Sequence, residues 1–478
     1  MPDPQLCVTV TGRTAGEMRA ARVAAEPDAD LVELRLDTMT SPDAAAAMAD
    51  RRRPVIVTCR PVREGGFVTG TEEERARILL AAHAAGAEFI DVEFDSAMPA
   101  ALAERRGRGV IVSRHDFGGV PGDIPRLLDD MRATGAEVVK LAVSVRRLSD
   151  MIPLLDAARP DGTAVLLAMG PAGVPSRVLA ARFGSRWTYA GERVAPGQMP
   201  VSQLTGEFRF RRVRRETAVY GLLGRPILHS LSPAMHNAGF AALGLNATYV
   251  PLEAEDVRDF RAFADAIDLR GANVTIPFKR DVLAILDEVA PIAREVGAVN
   301  TITHRDGRWI GTNTDVEGFV APLRRRGPLR DARALVLGAG GAARAAAAAL
   351  RAEGAHVSIA AREPSAAEEI GTQIGAAAVP WPGAGRWDLV INATPVGSTG
   401  SPGLSADPAT TQASLAYDLV YEPSVTPFLQ AYADVGADVL GGLDMLVAQA
   451  ERAFEIWTGQ RPPSGLFLAA AEQAQATR

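Results

Sequence analysis

The sequence predicts an α/β protein in two parts, a closed barrel of eight parallel strands followed by an open, two-lobed α/β region. Three observations predict it. Eight short β-rich runs recur between Gln5 and Gly191, separated by Ala/Arg/Glu/Leu-rich segments of helical character. A run of another kind, "ARALVLGAGGAARAAAAALRAEGAHVSIAAR", reads as strand, glycine turn, alanine-rich helix and strand. The chain of 478 residues is also too long for one ordinary domain.

The eight runs are "LCVTV", "DLVELRLD", "PVIVTC", "EFIDVEF", "GVIVSRHDF", "EVVKLAV", "TAVLLAMG" and "RWTYAG". Eight strands alternating with helices are the signature of a (β/α)8 TIM barrel, whose interior is packed solid and whose active site lies at the C-terminal strand ends. Polar residues fall on those runs. Glu33 and Arg35 lie on the second, Arg60 closes the third, Glu93 sits in the fourth, His115 and Asp116 end the fifth, and Lys140 lies in the sixth. Ion pairs at the rim would account for some of them, but a purely structural barrel does not need them all.

A second pattern begins after "GEFRFRRVRRETAVYGLLG", which places the boundary near residue 216. The basic stretch 209–215 reads as a solvated linker or helix end rather than a nucleic-acid patch. Several αβ units extend to about residue 318, then come the glycine turn, strands at "DLVINAT" and "LAYDLVY", and a helical end from "LDMLVAQAERAFEIWTG". The expected division is 1–214 for the barrel, 217–318 for a substrate lobe, 319–442 for a Rossmann lobe and 443–478 for helices packing back on the substrate lobe.

Composition narrows the function classes. With 47% hydrophobic residues, 23% charged and a net charge of −6, the chain reads as globular, with no basic excess for nucleic acid. Cys7 and Cys59 make neither a disulfide framework nor a metal site, and no metal-ligand cluster is apparent. A strand-like run begins within a few residues of the first Met and no apolar stretch is long enough for a bilayer, so the expectation is a cytoplasmic protein without membrane partners.

Of the 51 basic residues only two are lysines, Lys140 and Lys279. Arginine replaces lysine wherever only charge matters. It cannot do so where a neutral amine is required, because guanidinium effectively never deprotonates. A neutral lysine at a barrel mouth can attack a ketone and form an iminium, which acidifies the adjacent C–H. His115, one strand before Lys140, is the histidine available for that proton. Glu64 could orient its imidazole, and Arg60, Arg35 and Arg177 could clamp a carboxylate and hydroxyls.

These residues carry a resemblance. "VELRLD", "TCRPVREGG", "SRHDF", "VVKLAV", "PSRVLA" and "APGQ" occur in the order and spacing of type I 3-dehydroquinate dehydratase, over residues 5–205. The resemblance implies that Lys140 forms the Schiff base and His115 shuttles protons as water is eliminated. It further implies that Glu33, Arg35 and Arg60 bind ring hydroxyls, Arg177 binds the carboxylate and Gln198 closes the site. Val194 departs from the family, where a small hydroxyl residue is usual. Thr9 stands where a serine is expected and would preserve its hydroxyl.

In the second part, "LGAGGAAR" is a GxGxxA match, with Gly338, Ala339, Gly340, Gly341, Ala342 and Ala343 opening a helix directly after a strand. Glycines there let a backbone approach a pyrophosphate at the positive helix end. After the second strand, Arg362 suits the 2′-phosphate of NADP whereas the neighbouring Glu363 would repel it, so NADP is favoured and NAD stays open. Lys279 in "GANVTIPFKRD" is the candidate proton donor to a reduced carbonyl and Asp315 in "GTNTDVEG" its partner, although an aspartate in that loop could equally serve the turn.

This region is similar to shikimate dehydrogenase over residues 217–470, through "HSLSP", "GANVTIPFK", "GAVNT", "GTNTD", "GAGGAAR", "INATPVG" and "GLDMLVAQ". The similarity implies Lys279 and Asp315 as the catalytic pair. Ser230, Ser232, Thr275, Asn300, Tyr421 and Gln449 would hold the cyclohexene acid, with Leu419 and Gly442 at the nicotinamide end. The serines of "HSLSP" resemble the shikimate rather than the quinate branch, while "ARE" departs from the "NRT" usual in NADP enzymes of the family. Together the two resemblances imply consecutive reactions, with 3-dehydroquinate, 3-dehydroshikimate and shikimate as small-molecule ligands. The alternatives are an NAD-dependent quinate/shikimate dehydrogenase in the second half, or a non-catalytic sensor of quinate-pathway acids, which would be expected to have lost Lys140, His115, Lys279 and Asp315.

Overall fold

The computed structural model describes residues 3–96, 107–191 and 197–477, so Val194 lies outside the described residues. Eight parallel strands appear where the eight runs predict them: β1 (Gln5–Val10), β2 (Leu31–Arg35), β3 (Val55–Thr58), β4 (Phe89–Glu93), β5 (Val110–Asp116), β6 (Val138–Ser144), β7 (Ala164–Met169) and β8 (Trp187–Ala190). Their spatial order is β7-β6-β5-β4-β3-β2-β1-β8. A bridge between Ala164 and Ser185, with Arg186 N–H donating to the Ala164 carbonyl at 2.8 Å, brings the two ends together.

Alternation along the strands sorts side chains between the barrel interior and the helices outside. An apolar plug that includes Cys7, Leu31, Ile56, Ile111, Val138, Val165 and Trp187 fills the lower interior. Two residues further along the same strands stand Thr9, Glu33, Thr58, Ser113, Lys140 and Tyr189, and all six are buried. Register aligns them: Thr9 pairs with Glu33, Thr58 with Asp91, and Ser113 with both Glu93 and Lys140. The polar layer is therefore a product of strand period and register.

The helix Glu72–Ala84 begins with a capping box, in which the Thr71 hydroxyl accepts from Glu74 N–H and the Glu74 carboxylate from Thr71 N–H. It buries Arg75, which donates to the Cys59 carbonyl at 2.9 Å and pairs with Glu93.

By contacts the chain forms two compact units. The first is Met1–Val219 with Pro226–Leu228 and Asn246–Asp268, and the second comprises Tyr220–Arg225, His229–Leu245 and Leu269–Arg478. Within the first, helix Val257–Ala266 is tied to the barrel through Asp259, whose carboxylate accepts Leu148 N–H at 3.1 Å and Ser149 N–H at 2.8 Å.

In the second unit, residues 220–224 of strand Ala218–Gly224 and strands Leu269–Val274, Thr301–Arg305, Arg308–Thr312 and Glu288–Val289 are successive neighbours in one sheet. Another sheet is ordered Ala377–Ala378, His356–Ala360, Arg333–Leu337, Gly385–Asn392, Thr411–Asp418, Asp438–Leu440, with its pairs parallel. That 3-2-1-4-5-6 order is the Rossmann arrangement, with its switch point between Arg333–Leu337 and Gly385–Asn392. The terminal helices Gly442–Thr458 and Leu466–Ala476 pack on helix Ser232–Ala242, where a Cβ on Gly239 would meet Phe454 and Phe467 at 2.8 Å. No helix among the described residues is long and apolar enough to cross a membrane.

Candidate active sites

At the C-terminal strand ends of the barrel lies a cavity of about 130 Å³ whose lining includes Thr9, Glu33, Arg35, Arg60, Glu64, His115, Lys140, Arg177 and Gln198. The nine barrel residues expected to react or to bind ligand thus meet in one place. Asp116, at the end of β5, is instead 3.6 Å from Arg114.

Lys140 is only 4% exposed. Its Nζ donates to Asp91 Oδ2 at 2.7 Å, lies 3.6 Å from Glu33 Oε1, and stands 4.7 Å from the centroid of the Tyr189 ring. The cost of burying an ammonium is offset by one close carboxylate, a second nearby and an aromatic face. Glu33 is held in turn by the hydroxyls of Thr9 at 2.9 Å and Thr58 at 2.8 Å. Gln198 donates to Thr9 Oγ1 at 3.2 Å.

His115 Nδ1 lies 2.9 Å from Glu64 Oε2, which also accepts the His115 backbone N–H at 3.1 Å. Nδ1–H is the tautomer this geometry assigns, leaving Nε2 with the lone pair. Burial, then the charges of Arg60 and Lys140, push the imidazole well below its ordinary pKa. Burial pushes Glu64 up to about 7, opposed by Arg60. The imidazole is therefore a neutral base at neutral pH.

Arg60 is engaged by Asp91 at 2.9 Å, Glu93 at 2.9 Å and Ser113 at 2.8 Å, with Glu64 at 3.8 Å. It organises carboxylates as much as it faces the cavity. Arg35 forms a bidentate pair with Asp37 at 2.9 and 2.7 Å. Arg177, on helix Val174–Val178, is lowered by burial to about 10 and so keeps its charge at neutral pH. A buried cation of this kind suits an anionic ligand group. Cys59, Cys7 and Tyr189 are all raised by burial, Cys59 to about 12, so they remain neutral there.

In the second unit Lys279 Nζ donates to Asp315 Oδ2 at 2.6 Å, and Asn300 Nδ2 donates to Asp315 Oδ1 at 2.7 Å. Asn300 Nδ2 also lies 3.4 Å from Gln449 Oε1. Asp315 opens helix Asp315–Arg324, and its backbone N–H donates to Asn313 Oδ1 at 3.0 Å, so the residue serves the turn and Lys279 together. Ser230 and Ser232 bond to one another at 3.3 Å. Thr275 follows strand Leu269–Val274 and donates its N–H to the Leu223 carbonyl at 2.8 Å. Leu419 and Gly442 are brought together, since a Cβ on Gly442 would meet the Leu419 carbonyl at 2.5 Å. Tyr421 is half-buried, and its carbonyl accepts from Gln475 at 3.1 Å.

The glycine turn touches this cluster. Gly341 opens helix Gly341–Ala352, and a Cβ there would stand 3.0 Å from Lys279 Cδ. Gly338 has φ +116°, in the region that favours glycine, with the Ala393 carbonyl 3.0 Å from an added Cβ. A Cβ on Gly340 would meet nothing within 4 Å. The helix has no side-chain N-cap and no acid in its first turn, which leaves its N-terminal amides to an anion. These features fit a dinucleotide pyrophosphate. Arg362 makes no ion pair among the described residues, whereas Glu363 Oε1 accepts from Ser365 at 3.0 Å on its own helix. No group of three or more His, Cys, Asp or Glu is placed for a metal among the described residues.

The type I 3-dehydroquinase family model matches residues 6–214, that of the shikimate dehydrogenase substrate binding domain 222–302, and that of the shikimate 5′-dehydrogenase C-terminal domain 442–472. A bifunctional 3-dehydroquinate dehydratase/shikimate dehydrogenase, chloroplastic, of Arabidopsis thaliana is 33% identical over 482 residues, covering 92% of this chain and 80% of that protein. The chain belongs to this bifunctional dehydratase/dehydrogenase family. The NADP(+) shikimate dehydrogenase of Oleidesulfovibrio alaskensis is 43% identical over 51% of this chain and 91% of its own. A crystal structure of a shikimate dehydrogenase in complex with NADP+ matches with TM-score 0.52 and 35% identity, over 55% of this chain and 96% of that one.

In both halves of this bifunctional family member, the sequence reading missed residues that the structure puts at the centre. Asp91 touches Lys140, Ser113 joins Asp91 to Arg60, and Tyr189 lies beneath the amine. The signal for Asp91 was present in "EFIDVEF", where period-two alternation places Asp91 on the face of Glu93. In the dehydrogenase half, Asp418 accepts from Asn392 at 2.9 Å, Val420 N–H at 3.0 Å and Thr426 at 2.5 Å, fixing the start of the Leu419–Tyr421 turn. Burial raises it to about 6.

Proposed function

We propose that the barrel dehydrates 3-dehydroquinate to 3-dehydroshikimate and that the second unit reduces 3-dehydroshikimate to shikimate with NADPH, two consecutive steps of the shikimate pathway to aromatic amino acids. One observation carries the reading. The chain's two lysines each bond a carboxylate inside a site suited to one of the reactions, Lys140 beside a barrel cavity and Lys279 against the glycine turn. In this reading residues 1–214 carry the dehydratase, 217–318 a substrate lobe, 319–442 a dinucleotide lobe and 443–478 the terminal helices. Both cysteines are buried free thiols, in keeping with a reducing compartment such as the cytoplasm.

In the barrel, the Lys140 amine attacks the ketone and water leaves, forming an iminium. Nε2 of neutral His115 takes a proton from the adjacent carbon, and the electron pair moves into the C=N+ bond to give an enamine. The enamine returns the pair, the hydroxyl one carbon further departs with the proton from His115 as water, and hydrolysis frees Lys140. Glu64 holds the imidazole in register. Arg177 binds the ring carboxylate, Glu33 and Arg35 the hydroxyls, and Gln198 and Thr9 close the site.

In the second unit, the turn Gly338 to Ala343, Arg362 at the 2′-phosphate, and Leu419 and Gly442 at the nicotinamide would hold NADPH, which would supply the hydride. Lys279 delivers a proton to the carbonyl oxygen. Asp315 fixes the ammonium, and Asn300 fixes the other oxygen of Asp315. Ser230, Ser232, Thr275, Tyr421 and Gln449 hold the cyclohexene acid.

Charge-preserving substitution separates the sites. Lys140→Arg should lower dehydratase kcat by more than about 10³ and spare the reductase, and Lys279→Arg should do the reverse by about 10² or more. Loss of both activities in either variant, or retention of the targeted one, would contradict the assignment.

A further inference from the structure

Asp91 has a place in the barrel that the two-residue account of Lys140 and His115 leaves unfilled. It is wholly buried in β4, and its three side-chain hydrogen bonds use both oxygens. Oδ2 accepts from Lys140 Nζ at 2.7 Å and from Arg60 at 2.9 Å, while Oδ1 accepts from Ser113 at 2.5 Å, and Ser113 in turn accepts from Arg60 at 2.8 Å. Arg60, just past β3, and Ser113 of β5 thus hold the Asp91 carboxylate against the Lys140 nitrogen of β6.

We infer that Asp91 is a catalytic residue of the dehydration, the fixed counter-ion of the Lys140 iminium. The inference rests on the imine chemistry proposed above. Charge balance is its core. A Lys140 ammonium and a ketone give an iminium and one water: the C–N bond forms, the C=O bond breaks, two of the three nitrogen protons leave in the water, and the charge on nitrogen stays +1. Through that step Asp91 keeps its partner.

Proton removal from the adjacent carbon needs a positive nitrogen to receive the electron pair, and a neutral imine is a poor sink. A carboxylate held 2.7 Å away in a water-poor interior favours the charged form. Arg60 and Lys140 hold the Asp91 carboxyl far below its ordinary range, so it stays charged beside the nitrogen. Glu33 does not substitute, because its nearest oxygen is 3.6 Å from Nζ and both its oxygens accept threonine hydroxyls. Tyr189 offers its ring face to the same cation from below.

The test compares two reductants on the full-length protein turning over 3-dehydroquinate. Cyanoborohydride reduces the iminium selectively, and borohydride also reduces a neutral imine. Asp91→Asn should keep borohydride labelling of Lys140 and full reductase activity, while cyanoborohydride labelling and dehydratase kcat fall about 10²-fold or more. Equal loss with both reagents would show a structural role and overturn the inference, as would wild-type labelling and turnover. No adduct in the wild type would overturn the imine reading itself, and the role of Asp91 with it. If Asp91→Asn does not fold, Asp91→Glu decides. Keeping the charge but displacing it, this variant should lower kcat at least tenfold with KM unmoved, and an unchanged kcat would contradict the role.

Discussion

Glu64 and His115 form a hydrogen-bonded pair beside the barrel cavity, and their burial gives that pair a measurable pH signature. Burial raises Glu64 from the ordinary 4.5 to about 7, even with Arg60 nearby. A folded value above the unfolded one means stability that is complete below about pH 4.5 and lost as pH rises through about 7. Relative to Glu64→Gln, the wild-type barrel should therefore lose up to ~3 kcal/mol between pH 4.5 and 8, read by hydrogen exchange of β4 to β6. A difference that stays flat with pH would contradict the burial argument. The same substitution should leave reductase activity unchanged while lowering dehydratase kcat, since the neutral amide lacks the negative charge that supports the imidazolium formed when His115 takes a proton.

Among the elements, the glycine turn and the strand beside it are the parts on which the proposed cofactor site can be tested. The space around Gly340 is open, whereas Gly341 is packed on Lys279. Gly340→Val should fold and raise the KM for NADPH about tenfold or more, because its methyls enter the pyrophosphate approach. Arg362→Ala should weaken NADPH far more than NADH, so that the ratio of their kcat/KM values falls about tenfold. An unchanged ratio would remove Arg362 from 2′-phosphate recognition.

The elements were also what the sequence disclosed best. Runs such as "PVIVTC" and "TAVLLAMG" are continuous and apolar, the pattern of strands buried on both faces, and each of the eight became a barrel strand. Lys140 stood out by scarcity. Asp91 did not, because an acid in a strand has meaning only once register sets it beside Lys140, two strands away. The packing of Gly341 on Lys279 was hidden for the same reason, since distant segments meet there through tertiary structure alone. Arg60 was read as a ligand clamp, and the carboxylates that occupy it became visible only when β4 was placed next to β3.

At the scale of the whole molecule, one chain holds two proposed sites with one lysine apiece, in separate compact units. Arginine supplies every other basic side chain, so amine chemistry has only two addresses, and a covalent trap can tell them apart. The direct measurement is borohydride reduction of the protein with 3-dehydroquinate, followed by peptide mass mapping. The account predicts a single stable adduct on the peptide containing Lys140, with Lys279 unmodified. An adduct on Lys279, or none on Lys140 while dehydration proceeds, would contradict it.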